Sequence, residues 1–196
     1  MKFKFPKQIV IGLTGGMLSG KSTVLDLFEK RGAFVLSCDA LVREISLRAE
    51  VKKKIEKIFG SSERQFLTQK IFNSPRARTQ LENLLHPLVI QELSKRLKAN
   101  KTFLRVVEVP LLFEAQLGDY FDLTLSVSAP ERVLLKRLSA RSIKKEDFEK
   151  RSIAQFSQEK KMALADISLI NSGSLAQLEE KVENIYRAIL KIYQVK

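Results

Sequence analysis

Apolar residues along this chain fall into short unbroken runs separated by longer stretches of helical spacing. Ile9 to Leu13 is apolar without polar alternation, the pattern of a strand covered on both faces in a parallel sheet. Val24, Leu25, Leu27 and Phe28 give the buried side of a helix that begins near Lys21. Gly32 ends that helix after Lys30 and Arg31, whose charges suit a helix C-terminus. Ala33 to Ser37 predicts a second strand, with Asp39 just beyond its carboxyl end. Leu41 to Phe59 carries one continuous, lysine-rich helical pattern, closed by the turn Gly60-Ser61-Ser62. Past Pro75, Leu81, Leu84, Leu85, Leu88 and Val89 recur at helical spacing, predicting a long helix or a Pro87-kinked pair that runs to about Leu97.

The second half repeats the alternation. Phe103 to Val109 is a third strand with Pro110 at its end, and Leu123 to Val127 a fourth. Pro130 suits the first turn of a helix over Glu131 to Ser139. Ile167 to Ile170 is a fifth strand, closed by Asn171-Ser172-Gly173. Leu175, Leu178, Val182, Ile185, Ile189 and Ile192 form one apolar face of a final helix. Strands alternating with helices define an α/β class: a three-layer α/β/α fold with a mainly parallel five-stranded sheet. At 196 residues and 44% hydrophobic content the chain suits one domain, 1–196, with a helical region over about 40–100 and a lid over about 130–161.

Composition narrows the function. The longest apolar stretch, Phe103 to Phe113, is interrupted by Arg105 and Glu108, so no membrane partner is expected, and without a visible signal peptide the location expected is cytoplasmic. Cys38 is the single cysteine, which excludes an internal disulfide and a multi-cysteine metal site and leaves core filling as its simplest use. The net charge of +13 implies an acidic partner: nucleic acid, a membrane surface or a polyphosphate ligand. Between Ala129 and Lys161 ten Lys and Arg, among them Lys144, Lys145, Lys150 and Arg151, face five Asp and Glu. Such a run is either a cationic flap or a solvated basic face.

Gly15-Gly16-Met17-Leu18-Ser19-Gly20-Lys21-Ser22 fits GxxxxGK[ST] between a strand and a helix, the context of a phosphate-binding loop (P-loop). Glycines let several backbone N–H groups turn inward, and the helix N-terminus behind them favours negative charge. Lys21 then reaches the β- and γ-phosphates and the Ser22 hydroxyl ligates Mg2+. A chance match in a glycine-rich turn is the alternative. Gly16, Met17, Leu18, Ser19, Gly20, Lys21, Ser22 and Thr23 are thus the candidate nucleotide-binding residues.

The loop alone does not separate kinases from GTPases, ATPases or transporters. Beyond it, Val35-Leu36-Ser37-Cys38-Asp39-Ala40, Arg64-x-x-Leu67, Ile71-Phe72, Pro75, Leu81-Glu82, His86-Pro87, Val109 through Glu114, Arg137, Arg141, Gln155, Ala165-Asp166 and Asn171 fall in an order that resembles the dephospho-coenzyme A kinases over nearly the whole chain. The resemblance implies an ATP- and Mg2+-dependent kinase for the ribose 3′-hydroxyl of dephospho-coenzyme A. The rivals are another small-molecule or nucleoside monophosphate kinase and a nucleotide switch or nucleic-acid-binding ATPase. Against the last stand the missing Asn-Lys-x-Asp run and the lack of an aromatic-interleaved basic strip, so no nucleic-acid partner is expected. Oligomeric state stays open, with a monomer favoured.

The resemblance also implies roles. Asp39 is the base for the attacking hydroxyl, with capping of the helix from Ala40 to Ile45 as its alternative. Glu108 holds a metal-bound water, unless it is a surface carboxylate paired with a lysine. Arg137 and Arg141, four apart on one helix face, reach the transferring phosphates, unless both are merely solvated. Lys161 adds to that flap, and Arg64, His86 and Pro87 belong to acceptor binding, although a lone histidine is more often structural. Asn171 contacts adenine or simply forms a turn. Two positions depart from the family pattern: Ser37 stands in place of a first Asp, and Leu18 replaces a common loop glycine. The loop is expected to keep its cradle, because only positive-φ positions strictly require glycine. The segment from Glu44 to Arg64 is also shorter than the family's usual one.

Overall fold

The computed structural model describes residues 3, 5–141, 146, 148, 152 and 155–193. Lys144, Lys145, Lys150 and Arg151 of the basic run, and so part of the expected lid, lie outside them. The chain forms two compact units, one of Met1–Leu36 with Asn100–Lys196 and one of Ser37–Ala99.

The larger unit is built on a five-stranded sheet: β1 (Ile9–Gly15), β2 (Phe34–Ser37), β3 (Leu104–Glu108), β4 (Leu123–Ser128) and β5 (Ile167–Ile170). The spatial order is β2-β3-β1-β4-β5. β1 lies in the middle, parallel to β3 with Ile11 opposite Val106 and parallel to β4 with Ile11 opposite Leu123. All seven of its residues are buried, which explains why its sequence shows no alternation. Chain connections leave β1 and β3 in opposite directions, and a crevice opens at the carboxyl ends of such strands. The P-loop follows β1 into that crevice, and Glu108 is the last residue of β3.

Helix α1 (Lys21–Lys30) buries Val24, Leu25, Leu27 and Phe28 as expected, and Gly32 turns the chain at φ +86°, a value open to glycine. With Leu178, Val182 and Ile189 of the C-terminal helix, α8 (Leu175–Ile192), these residues form the main core against β1, β3 and β4. Of the six residues of the apolar face expected for α8, Leu175 and Ile192 are exposed. Ser174 and Gln177 close a reciprocal capping box at its start, and Arg31 Nε meets Glu183 at 2.6 Å. Helix α6 (Glu131–Ala140) follows β4; Pro130 is its N-cap residue, one position ahead of the expected first turn. Helix α7 (Gln158–Leu164) precedes β5.

The smaller unit is helical: α2 (Cys38–Ser46), α3 (Ala49–Phe59), α4 (Arg64–Asn73) and α5 (Pro75–Ala99). The single helix expected from Leu41 to Phe59 is two, broken where Arg48 takes extended backbone at φ −65°, ψ 135°. The buried residues are Leu41, Ile45, Val51, Ile55 and Phe59, so the step from Ile45 to Val51 is six where the others are four. Six residues rotate a helix by about 240°, which takes Val51 off the face of Ile45 unless the helix breaks. Helix α5 runs unbroken through Pro87, taking the first of the two expected forms, and α4 had no expected counterpart. Cys38 is half-buried at the start of α2 rather than core filling.

Candidate functional site

The P-loop turns between Gly15 and Lys21, where Gly20 caps α1 at φ +101°. A Cβ on Gly20 would collide with the Asn171 amide nitrogen, so both the conformation and the space demand glycine here. Lys21 Nζ folds back on the loop and donates to the Gly16 carbonyl at 2.8 Å. Ser22 Oγ donates to Glu108 Oε1 at 3.4 Å. Glu108 is 7% exposed, which removes the surface ion-pair alternative and sets two hard oxygen donors side by side.

Arg137 is half-buried, and its Nη1 donates to the carbonyls of Leu18 and Ser19 at 2.8 and 2.9 Å. Burial, and after it the charge of Arg141, push the Arg137 guanidinium below its ordinary pKa. Two cations drawn together in this way are a receptor for anionic oxygen. Both arginines line a cavity of about 270 Å³ with Gly20, Lys21, Ser22 and Asn171. Leu175 and Leu178 also line it.

Asn171 is 4% exposed, and its Nδ2 donates to the Ser19 carbonyl at 2.9 Å. It therefore braces the loop and lines the cavity at once, which neither the adenine reading nor the turn reading alone describes. Leu18 stands at φ +62°, so the position that departs from the family glycine is a positive-φ position after all. An L-residue in left-handed conformation costs about 1–2 kcal/mol. Its side chain is 9% exposed against Ala129, Leu134 and Leu138, and burying a leucine contributes about 1.5–3 kcal/mol. The burial offsets the strain.

Lys161 has no accessible surface; its Nζ is 2.6 Å from the Pro110 carbonyl and 3.0 Å from Glu114 Oε1. The same Glu114 oxygen accepts from the Phe156 N–H at 2.8 Å, and Thr14 Oγ1 donates to the Pro110 carbonyl at 3.2 Å. The charge expected at the phosphates is thus engaged in holding the turn after β3. Gln158 was not anticipated. Its amide accepts from Ala129 N at 2.9 Å and donates to Ala129 O at 3.2 Å, and its Cγ would lie 2.9 Å from a Cβ on Gly16. A lone glutamine among charged residues carries no spacing signal that could have found it.

The remaining candidates belong to the smaller unit. Asp39 is exposed in the first turn of α2, and Ser37 occupies the N-cap, so the capping alternative for Asp39 falls. Arg64 opens α4, and His86 and Pro87 lie on the exposed side of α5. His86 is not a core histidine.

A P-loop at the carboxyl edge of a mainly parallel sheet, with a serine and a buried glutamate beyond it and arginines in and at the end of the helix after β4, defines a P-loop phosphotransferase. The family model for dephospho-CoA kinase matches residues 9–177, and the chain belongs to that family. It is an ATP-dependent kinase of coenzyme A biosynthesis that acts on dephospho-CoA. It is 35% identical to the dephospho-CoA kinase of Coxiella burnetii, over 94% of this chain and 98% of that one. With the kinase of Protochlamydia amoebophila it shares 31% identity over 93% and 97%. Among solved structures, the dephospho-CoA kinase from Campylobacter jejuni superposes with a TM-score of 0.70 at 25% identity, covering 97% and 98% of the two chains. A shikimate kinase from Acinetobacter baumannii, at a TM-score of 0.57 and 16% identity, shares the fold alone.

Proposed function

We propose that this chain transfers the γ-phosphoryl group of ATP to the 3′-hydroxyl of the dephospho-coenzyme A ribose, with Mg2+, as a cytoplasmic monomer that uses no nucleic acid. The observation that carries this reading is the loop cavity lined together by Lys21, Ser22, Arg137 and Arg141, with Glu108 accepting a hydrogen bond from Ser22. No helix among the described residues is long and apolar enough to cross a membrane, which is consistent with it.

In the proposed reaction the hydroxyl oxygen attacks the γ-phosphorus, the bond to the β,γ-bridging oxygen breaks, and ADP leaves. Lys21, Arg137 and Arg141 meet the charge on the phosphates, and the loop N–H groups at the start of α1 hold them. Asp39 takes the hydroxyl proton on its carboxylate. Arg64, His86, Pro87 and, through the turn it supports, Lys161 serve the acceptor, and Asn171 with Leu175 and Leu178 faces the base of ATP. Ser22 and Glu108 suit Mg2+, a hard ion that takes few protein oxygens and keeps water and phosphate oxygens for the rest. The ion supplies charge neutralisation at the β- and γ-phosphates.

ADP release with dephospho-coenzyme A, adenosine, AMP and shikimate as acceptors tests the reading. Dephospho-coenzyme A alone should stimulate turnover, and Asp39→Asn should lower kcat about 10²- to 10⁴-fold. Equal turnover by Asp39→Asn would remove the base. A salt-dependent shift on single-stranded or duplex nucleic acid, with no stimulation by dephospho-coenzyme A, would favour the ATPase.

A further inference from the structure

The strained residue of the P-loop also packs against α6 and accepts a hydrogen bond from it. On α6, Leu134 and Leu138 form one row; Arg137 lies on another, one turn before the C-cap residue Arg141. Leu18 engages both rows. Its side chain is buried against Leu134 and Leu138, with Met17, Val133 and Phe148 packed around them. Its carbonyl accepts the Arg137 guanidinium at 2.8 Å. Glycine at φ +62° would offer the carbonyl without strain and lack the side chain. Here the strained backbone is retained and an apolar peg is gained.

We propose that Leu18 is a positioning residue: it fastens the tip of the P-loop to α6 and so fixes Arg137 over the loop. The proposal rests on the reading of Arg137 as a phosphate-stabilising group. The nucleotide meets the arginine; Leu18 determines where that arginine stands.

The test is a double-mutant cycle between position 18 and Arg137, read as kcat and KM together with hydrogen exchange of the α6 amides. Leu18→Gly should lower kcat about tenfold, leave KM for dephospho-coenzyme A within about twofold, and speed exchange along α6 in the enzyme without substrates. Leu18→Asn, which tolerates the left-handed backbone but has no apolar peg, should do the same. Leu18→Met, which restores apolar bulk, should recover most of the lost kcat. In an Arg137→Ala background, Leu18→Gly should change kcat by less than about twofold. The same fold-loss in both backgrounds, or unaltered kcat and exchange in Leu18→Gly, would overturn the proposal. Full kcat in Arg137→Ala would instead sink the assignment of Arg137; the exchange measurement would still report whether the peg holds α6.

Discussion

Burying the Lys161 ammonium strips it of water, and the Pro110 carbonyl and Glu114 replace that solvation. Lys161→Met would leave Glu114, only 14% exposed, without this ion pair, a change that costs about 3–5 kcal/mol. A fall in Tm of roughly 6–20 °C by calorimetry is the expected outcome. An unchanged Tm with a raised KM for dephospho-coenzyme A would show its charge serving the substrate instead. Glu108 gives a second prediction. With Ser22 at 3.4 Å from it, Glu108→Gln should raise the Mg2+ concentration for half-maximal activity about tenfold. An unchanged Mg2+ dependence would remove Glu108 from the metal site. At this scale the sequence was informative where chemistry fixes spacing, as in Gly20-Lys21-Ser22. It was silent where a side chain acts through tertiary contact: nothing along the chain says that Gln158 seats Gly16, or that Leu18 falls at positive φ.

Among the elements, the strands were the most legible, because burial on both faces writes β1 as an unbroken apolar run and β5 was placed residue for residue. The helical unit was less so. Lysine-rich helices continue one pattern through Leu47 and Arg48, and only the phase change between Ile45 and Val51 marks the break. What holds α2 to α5 is ionic as well as apolar: Arg96 reaches Glu44 at 2.6 Å and Glu92 at 2.8 Å, and Arg48 reaches Glu92 at 2.9 Å. Hydrogen bonds from Arg96 and then Arg48 hold the Glu92 carboxyl below its ordinary pKa of 4.5. A carboxyl lowered in the folded state stabilises the fold above its unfolded pKa, and this is lost as pH falls through the folded one. Glu92→Gln should therefore lower Tm by about 2–4 °C at pH 7, and the gap to the wild type should narrow below about pH 4.5. A gap constant from pH 7 to pH 3, followed by circular dichroism, would show that Glu92 contributes through packing and not through charge.

Over the whole molecule the excess of 35 Lys and Arg over 22 Asp and Glu raises the local concentration of anionic substrates. Screening shortens that field to about 10 Å at 0.1 M salt, so kcat/KM for dephospho-coenzyme A should fall as ionic strength rises while kcat changes little. Charge alone left nucleic acid, membrane and polyphosphate all open; the phosphate loop and the match to the dephospho-CoA kinase family point to the polyphosphate ligand. The defining event is the arrival of the phosphoryl group on the ribose 3′-hydroxyl. Phosphorus NMR of the product formed from ATP and dephospho-coenzyme A is the most direct measurement. It should show a new 3′-phosphomonoester appearing in step with ADP. ADP formed without that signal, or a phosphate on any other position, would contradict it.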